Sequence, residues 1–355
     1  MGKDRERENL ITVIVLSHNV ASYLPICFSG LIRQSAACFD LIIIDDGSTD
    51  DSGAICRDFA QNSPYTRFFS RNHEGVSAAR NYGLSQVRTD YVLFVDGDDY
   101  LEPDAIERLY EIVNIRRPDL VIYGFFYETK GSKDRYPVAA RTEYDATRQD
   151  MERRFPEIWD AGLMYSVCNK LFRTDLILNN GLLFETRTFG EDAVFCREYL
   201  KYCRNMAVLG SCLYHYICQR PDSLSNLYRP DLFNIRVREH RDLTRYFRGM
   251  QCDREILEET LARRHIERVV GCIANECSPD SKKSVREKWK AIHEFLIHPD
   301  TEKCAEKARP RSRKMKIIIC LIRKKRTTTV LFLGYVMSFC GRKLPRLFVR
   351  LKANR

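Results

Sequence analysis

Short apolar segments alternate with amphipathic segments along the first 130 residues of the chain. The apolar segments are ITVIVL from residue 11, LIII from residue 41, YVLFV from residue 91 and LVIYGFFY from residue 120. They lack polar alternation, which is typical of strands buried on both faces. The segments between them, such as VSAARNYGLSQV and DAIERLYEIVNI, carry apolar residues at helical spacing. This order predicts an α/β fold with a mostly parallel sheet that helices cover on both faces.

Beyond about residue 130 the alternation loosens, but periodic segments return. SVCNKLFRTDLI, FGEDAVFCREYLKYC and MAVLGSCLYHYI carry strand and helix patterns, and the chain from Pro230 to about Leu296 has helical spacing. The predicted parts are an α/β domain over residues 1–228, with halves at about 10–130 and 131–228, a helical region over 229–306 and a tail over 307–355.

Polar residues follow three of the predicted strands directly. SHN ends the first strand, DDGSTD ends the second, and DGDD follows YVLFV. The carboxyl ends of parallel strands meet at one edge of a sheet, where ligands of α/β folds bind. The sequence therefore predicts that these three segments form one site.

The DGDD segment places Asp96, Asp98 and Asp99 within four positions. Carboxylates this close raise one another's pKa unless a cation or hydrogen-bond donors neutralise them. Their oxygens suit a hard divalent cation such as Mg²⁺ or Mn²⁺. The alternative is an ordinary turn or helix N-cap, which Asp and Gly also favour.

Two further segments carry candidate binding residues. Asp45 and Asp46 stand at a strand end, where acceptor groups could recognise a base or a ribose; a turn followed by a helix start is the alternative. Arg80 lies in a helix among small residues and would pair well with carboxylates or a phosphate. Tight helix packing with a solvated Arg80 is the alternative there.

Composition describes a globular protein with an unusual charge distribution. Hydrophobic residues make up 44% and charged residues 30% of 355 positions, which argues against disorder and against a polytopic membrane protein. The 14 cysteines are scattered without a Cys-x-x-Cys pair, which favours a reducing cytoplasm. No signal-peptide pattern opens the chain. The net charge of +10 combines a body of about −6 with a tail of about 16 Lys and Arg and no acidic residue.

The basic tail interleaves apolar clusters with Lys and Arg. Its longest apolar run, Val330 to Cys340, is about 11 residues and is shorter than the ~20 needed to span a bilayer. A helix lying in the interface of an anionic membrane fits both the aliphatic content and the charge. There are two alternatives. Nucleic-acid binding would use the positive charge but leaves the large aliphatic content unexplained. A helical cap packed on the body leaves the charge unexplained.

The strand-end motifs resemble those of a known enzyme family. LITVIVLSHN, LIIIDDGSTDDS, HEGVSAARNYGL and YVLFVDGDDYLEPDAI, in this order and spacing, are similar to the nucleotide-sugar half of a family 2 glycosyltransferase of the GT-A fold. The resemblance is close over residues 10–130 and extends more weakly, through VCNKLF, FGED and RPDSLS, to about residue 226. It implies a Rossmann-like sheet flanked by helices, then a helical C-terminal region, in an enzyme of bacterial polysaccharide assembly.

The resemblance also implies roles for single residues at the donor site. Asp46, with Asp45 beside it, would contact the nucleotide base, and Ser17 and Asn19 would line that pocket. Arg80 would lie near the base and the diphosphate. The first strand ends in LSHN where the family often has Pro-x-Tyr-Asn, so the aromatic residue of that motif is missing.

The same resemblance places the metal site at the DGDD turn. Asp96 and Gly97 would contact the nucleotide sugar at its ribose. Asp98 would ligate the Mn²⁺ or Mg²⁺ that bridges the two phosphates, with Asp99 in support. His215, on a late strand, is a weaker candidate for a further metal ligand, because a lone strand histidine is more often structural.

The acceptor half supplies the predicted catalytic groups. An inverting transfer needs a base that removes the proton of the acceptor hydroxyl. The resemblance assigns this role to Asp192 of FGED, with Glu191 in support. It also implies that Arg220 contacts the diphosphate. Acidic residues that merely stabilise a helix N-terminus are the alternative for the Glu-Asp pair.

These features predict a metal-dependent, inverting glycosyltransferase. It would move a sugar from a UDP-hexose or UDP-N-acetylhexosamine to a hydroxyl of a lipid-linked saccharide. The expected process is cell-surface polysaccharide synthesis. The predicted location is the cytoplasmic face of the cell membrane, with the tail on anionic lipid. A sugar-nucleotide nucleotidyltransferase is one alternative, although the Gly-rich phosphate loop of that class is missing here. An inactive, membrane-attached scaffold that binds sugar nucleotides is another.

Overall fold

A computed structural model describes residues 10–36, 39–132, 134–187, 190–218 and 227–343 of the chain. The chain divides into two compact units. The first comprises Met1–Met151 and Ala161–Ile217, and the second comprises Glu152–Asp160 and Cys218–Arg355.

Four parallel strands form the first half of the sheet, in the order β3-β2-β1-β4. They are β1 (Ile11–Ser17), β2 (Phe39–Asp46), β3 (Thr66–Arg71) and β4 (Tyr91–Asp96). The connecting helices are α1 (Leu24–Ile32), α2 (Ser52–Gln61), α3 (Val76–Ser85) and α4 (Ala105–Arg116). The apolar run of β1 is buried along its whole length, as expected for a strand that helices cover on both faces.

Antiparallel strands extend the sheet beyond β4, in the order β4-β9-β6-β10-β5. These strands are β5 (Tyr100–Leu101), β6 (Leu120–Thr129), β7 (Arg135–Val138), β8 (Tyr144–Thr147), β9 (Lys170–Arg173) and β10 (Asn205–Cys218). The helices of this half are α5 (Arg148–Asp160), α6 (Thr174–Asn179) and α7 (Glu191–Leu200). The predicted α/β class is confirmed, with parallel pairs among the first four strands.

The second unit is helical. It contains α8 (Leu232–Phe247), α9 (Arg254–Glu276), α10 (Val285–Ile297), α11 (Pro299–Lys307), α12 (Arg313–Arg323) and α13 (Thr327–Lys343). Local sequence sets the start of α10, where Ser284 and Glu287 cap each other's backbone in a capping box.

One hydrophobic core joins the helices of this unit. Ile273 of α9 and Ile292 of α10 lie in it together with Ile319 of α12 and Val330 of α13. In the basic tail, α13 therefore packs by one face on α9 and α10, and α12 packs on α11 and α13. Within the described residues, no helix is both long and apolar enough to cross a membrane.

Candidate active site

Three neighbouring strands bring the polar segments together. In the register of the parallel pairs, Ser17 of β1 lies beside Asp45 of β2, and Leu16 of β1 lies beside Asp96 of β4. The segments that follow these strands therefore start at one edge of the sheet, as their positions after buried strands predicted.

The carboxylate of Asp46 organises the loop before α3. It accepts hydrogen bonds from the backbone N–H groups of Glu74 and Gly75, both at 3.0 Å, and lies 2.8 Å from Nδ1 of His73. His73 stacks on His18, with 4.1 Å between ring centroids. Two stacked imidazole rings thus lie near the ends of β1 and β2, and the family motif often has one aromatic residue at the end of the first strand.

Asp45 and Asn19 hold the turn that follows β2. Asp45 accepts a 2.5 Å hydrogen bond from the Ser48 hydroxyl, and Asn19 Oδ1 accepts one of 2.8 Å from the N–H of Thr49. Ser17 is buried next to Asp45. The structure brings these predicted base-pocket residues together, and it also gives Asp45 and Asn19 the turn-forming contacts of the alternative interpretation.

The acidic turn consists of Asp96, Asp98 and Asp99, with carboxylate oxygens that lie within 4.8 Å of one another. Gly97 makes this turn possible because its N–H donates to the carbonyl of Leu16 at 2.7 Å, and a Cβ there would lie 2.8 Å from the same oxygen. This is the donor set, oxygen only, that Mg²⁺ and Mn²⁺ prefer. The residues therefore fit the predicted cation.

Protein donors hold both carboxylate oxygens of Asp99. The hydroxyl of Tyr214 donates to Oδ2 and the N–H of Ile217 donates to Oδ1, each at 2.7 Å. Burial raises the pKa of Asp99 well above its usual value, and Asp98 and Asp96 raise it further. Asp99 thus ties β10 to the acidic turn.

Arg80 joins the donor half of the site to the predicted catalytic carboxylates. Its Nη1 contacts both Asp192 and, at 3.1 Å, Glu191, while its Nη2 lies 3.3 Å from Asp96. The side chain is only 3% exposed, and its guanidinium lies over the ring of Phe184. Burial alone would lower the pKa of Arg80, but Asp192 and Asp96 raise it above its ordinary value. Arg80 is therefore a fixed positive charge among three carboxylates.

Asp192 lies in the first turn of α7, which begins after Gly190 in a left-handed conformation. Its Oδ2 also accepts a 3.3 Å hydrogen bond from the N–H of Val167. Burial raises the pKa of Asp192, and the positive charge of Arg80 lowers it. Glu191 and Asp96 raise it further, so the pKa of Asp192 is about 7. A carboxyl group with a pKa near neutrality suits a general base.

His215 does not join the acidic turn. Its ring is fully buried, with Nδ1 2.5 Å from Glu128 and Nε2 2.9 Å from Glu102, the latter at an angle too poor for a hydrogen bond. It stacks on Tyr100, with 4.1 Å between ring centroids. Both ring nitrogens thus lie next to glutamates, and metal ligation by His215 stays a prediction.

One predicted site residue is not described by the structure, and two residues that contact the site were not predicted. Arg220 lies outside the described residues. His73 and Tyr214 contact the site but were not predicted, although His73 stands inside the quoted HEGVSAARNYGL motif and Tyr214 beside His215. Their role depends on pairing between distant segments, which the local pattern does not contain.

An α/β sheet of this kind, with an acidic turn after β4, is that of GT-A glycosyltransferases. The family described as Glycosyl transferase family 2 matches residues 12–178. This match covers just under half of the chain; together with the relatives below, it identifies the chain as a glycosyltransferase similar to this family.

Similar proteins agree with this assignment. The uncharacterized glycosyltransferase EpsJ of Bacillus subtilis (strain 168) is 27% identical over 80% of this chain and 83% of EpsJ. The uncharacterized glycosyltransferase YibD of Escherichia coli (strain K12) is 28% identical over 65% of this chain and 68% of YibD. S. aureus TarS 1-349, crystallised with UDP-GlcNAc, has a TM-score of 0.62 at 18% identity, over 94% of this chain and 91% of that chain. At that identity the likeness to TarS shows the fold.

Proposed function

We propose that this chain is a metal-dependent, inverting glycosyltransferase that uses a UDP-sugar, a UDP-hexose or UDP-N-acetylhexosamine, and glycosylates a saccharide hydroxyl. The observation that carries the proposal is the connection made by Arg80. It contacts Asp96 of the acidic turn and Asp192 of the acceptor half at once. The UDP-GlcNAc complex of TarS, a protein of the same fold, supports the choice of a uridine nucleotide.

The donor would lie along the strand edge. The base would face Asp46 and the stacked pair His18 and His73, beside Asp45, Ser17 and Asn19. The ribose would meet Asp96 and Gly97, and Arg80 would compensate the charge of the nearby diphosphate. Asp98 and Asp96 would hold a divalent cation, Mn²⁺ or Mg²⁺, which neutralises the charge of the leaving diphosphate when bound.

Asp192 would act as the base of the transfer. Its ionised carboxylate takes the proton of the acceptor hydroxyl while that oxygen bonds to the anomeric carbon, and the bond from this carbon to the diphosphate breaks on the opposite face. The product has inverted configuration, and UDP leaves. With a pKa of about 7, Asp192 is largely ionised in slightly alkaline solution and readily accepts a proton.

The C-terminal helices support a membrane-bound setting. Phe332, Tyr335, Val336 and Phe339 follow one another at helical spacing on α13, and their exposed fractions are 67%, 36%, 42% and 62%. These four residues form an exposed apolar stripe, because the opposite face of α13 packs in the helical core.

The charge near this apolar stripe favours a lipid surface over a second protein. Lys324, Lys325 and Arg326 are exposed in the turn between α12 and α13, and no acidic residue occurs from residue 307 onward. Apolar side chains beside Lys and Arg suit the interface of an anionic membrane. We infer that the enzyme binds the inner face of the cell membrane and glycosylates a lipid-linked saccharide in cell-surface polysaccharide synthesis.

Thermal unfolding of the full chain tests the donor site before any acceptor is known. The protein is heated with UDP, GDP or UMP, each with and without Mn²⁺. We expect UDP with Mn²⁺ to raise the melting temperature most, and Asp98→Asn to remove the metal-dependent part of this increase. Asp58→Asn, at an exposed position on α2, is the matched control and should behave as wild type. A folded wild-type protein that responds to none of the nucleotides contradicts the proposal.

A further inference from the structure

Lys170 is a buried cation that the proposed chemistry does not use. It is the first residue of β9, has no exposed surface, and pairs in register with Ile122 of β6. Burying an ammonium group is costly unless acceptors surround it. Burial lowers the pKa of Lys170, while Cys196 and Asp192 raise it.

The ammonium group of Lys170 is fully engaged by the loop of residues 161–169. Nζ donates to the carbonyl oxygens of Leu163 at 2.5 Å and Ser166 at 2.6 Å, and to Oδ1 of Asn169 at 2.9 Å. An ammonium group has three protons to donate, and these three acceptors use them all. Lys170 therefore has no proton left for a substrate and acts on the shape of this loop.

The same loop holds the predicted base. The N–H of Val167 donates to Oδ2 of Asp192, and the carbonyl of Ser166, which Lys170 also binds, accepts from the Cys196 thiol at 3.6 Å. Asp192 and Cys196 are one helical turn apart on α7. The loop thus contacts α7 at two successive turns.

We propose that Lys170 is a positioning residue for catalysis: by binding two carbonyls of the 161–169 loop, it fixes the Val167 N–H that orients Asp192. This inference rests on the proposed function, because it assumes that Asp192 is the base. A displacement of a catalytic group by about 1 Å costs up to about 100-fold in rate. Lys170 should therefore control turnover and leave the binding of the donor unchanged.

The test compares Lys170→Met with Arg148→Met in the full-length protein. Arg148 also donates to two backbone carbonyls, those of Leu200 and Cys203, but at the other end of α7. Both variants lose a cation that binds backbone carbonyls, so both can lose stability. Only Lys170→Met should also lose the positioning of Asp192. Hydrogen exchange is followed in peptides covering 161–169 and 190–200, and UDP release from UDP-GlcNAc with Mn²⁺ gives kcat and KM.

For Lys170→Met we expect faster exchange in the loop and in the first turn of α7, with kcat reduced by about 10-fold or more and KM for the donor unchanged. Arg148→Met should retain kcat and the slow exchange of that first turn. Unchanged exchange at the first turn of α7, or an equal loss of kcat in both variants, would overturn the proposal.

A second pair of variants covers a failure of Lys170→Met to fold. Val167→Pro removes the N–H that Asp192 accepts, whereas Val167→Ala keeps it, so only the proline variant should lose kcat and protection of the first turn of α7. If the wild-type protein releases UDP from no UDP-sugar, the proposed function is wrong. Hydrogen exchange then still decides whether Lys170 positions Asp192.

Discussion

Arg80 determines the electrostatics of the site more than any other single residue described. Its guanidinium contacts Asp96, Glu191 and Asp192, so it compensates three carboxylates that would otherwise repel one another. The sequence suggested an Arg near carboxylates and a phosphate but could not show which carboxylates. The contact with Asp192 links two segments separated by 112 positions, which only the folded chain brings together.

Replacement of Arg80 by Gln should change the pH dependence of turnover. The positive charge of Arg80 lowers the pKa of Asp192, so its loss raises that pKa above about 7. The base is then ionised only at higher pH, and the acid limb of the kcat profile should move upward by about 1 unit. Arg80→Lys keeps the charge and should move the limb less. An unchanged acid limb in Arg80→Gln would show that Asp192 does not control it.

At the scale of elements, the strand ends were predictable and the strand partners were not. Apolar runs that stop at SHN, DDGSTD and DGDD predicted both the strands and their common edge, because burial and local turn chemistry decide those features. LVIYGFFY also reads as a buried strand, but it became β6, which pairs antiparallel with β9. The direction of a strand depends on contacts with distant segments, so the apolar pattern of LVIYGFFY could not predict the direction of β6. The pairing of His215 with Glu128 escaped prediction for the same reason.

The tight turn after β4 gives a prediction at this scale. A Cβ at Gly97 would lie 2.8 Å from the Leu16 carbonyl, so Gly97→Ala must move the acidic turn away from β1. We expect a loss of about 2 kcal/mol in the free energy of unfolding, as for an overpacked core. We also expect weaker binding of UDP with Mn²⁺.

Chemical denaturation and calorimetric titration of UDP measure these two effects. Gly249→Ala is the control, because nothing lies within 4 Å of a Cβ at that position. Equal behaviour of the two alanine variants would show that the turn has room to adjust.

At the scale of the whole molecule, charge is divided unevenly along the chain. The first 306 residues carry about −6, whereas the segment from residue 307 has about 16 basic residues and no acidic ones. The interleaved apolar clusters and basic residues of this segment were visible in the sequence, but which face α13 buries depends on its contacts with α9 and α10. The structure leaves the stripe of Phe332, Tyr335, Val336 and Phe339 exposed.

Vesicle binding checks the proposed membrane surface. The protein should sediment with phosphatidylglycerol vesicles at low salt and stay in solution with phosphatidylcholine vesicles, and binding should weaken as salt is raised. Replacing Phe332 and Phe339 by Ser should abolish most of the binding, whereas Ile115→Ser, at a 78% exposed position on α4, should not. Full vesicle binding by the double variant would show that the apolar stripe does not bind the membrane. Loss of a dimer in that variant would show that a second copy of the chain covers the stripe.

Asp192→Asn tests the proposed mechanism through its turnover and its donor binding. Asparagine has a similar shape but cannot take the proton of the acceptor. Release of UDP from UDP-sugars, in the presence of Mn²⁺ and saccharide acceptors, should fall by about 1,000-fold. Stabilisation of the folded protein by UDP with Mn²⁺ should stay as in wild type. Turnover by Asp192→Asn at the wild-type rate would show that Asp192 is not the base of the transfer.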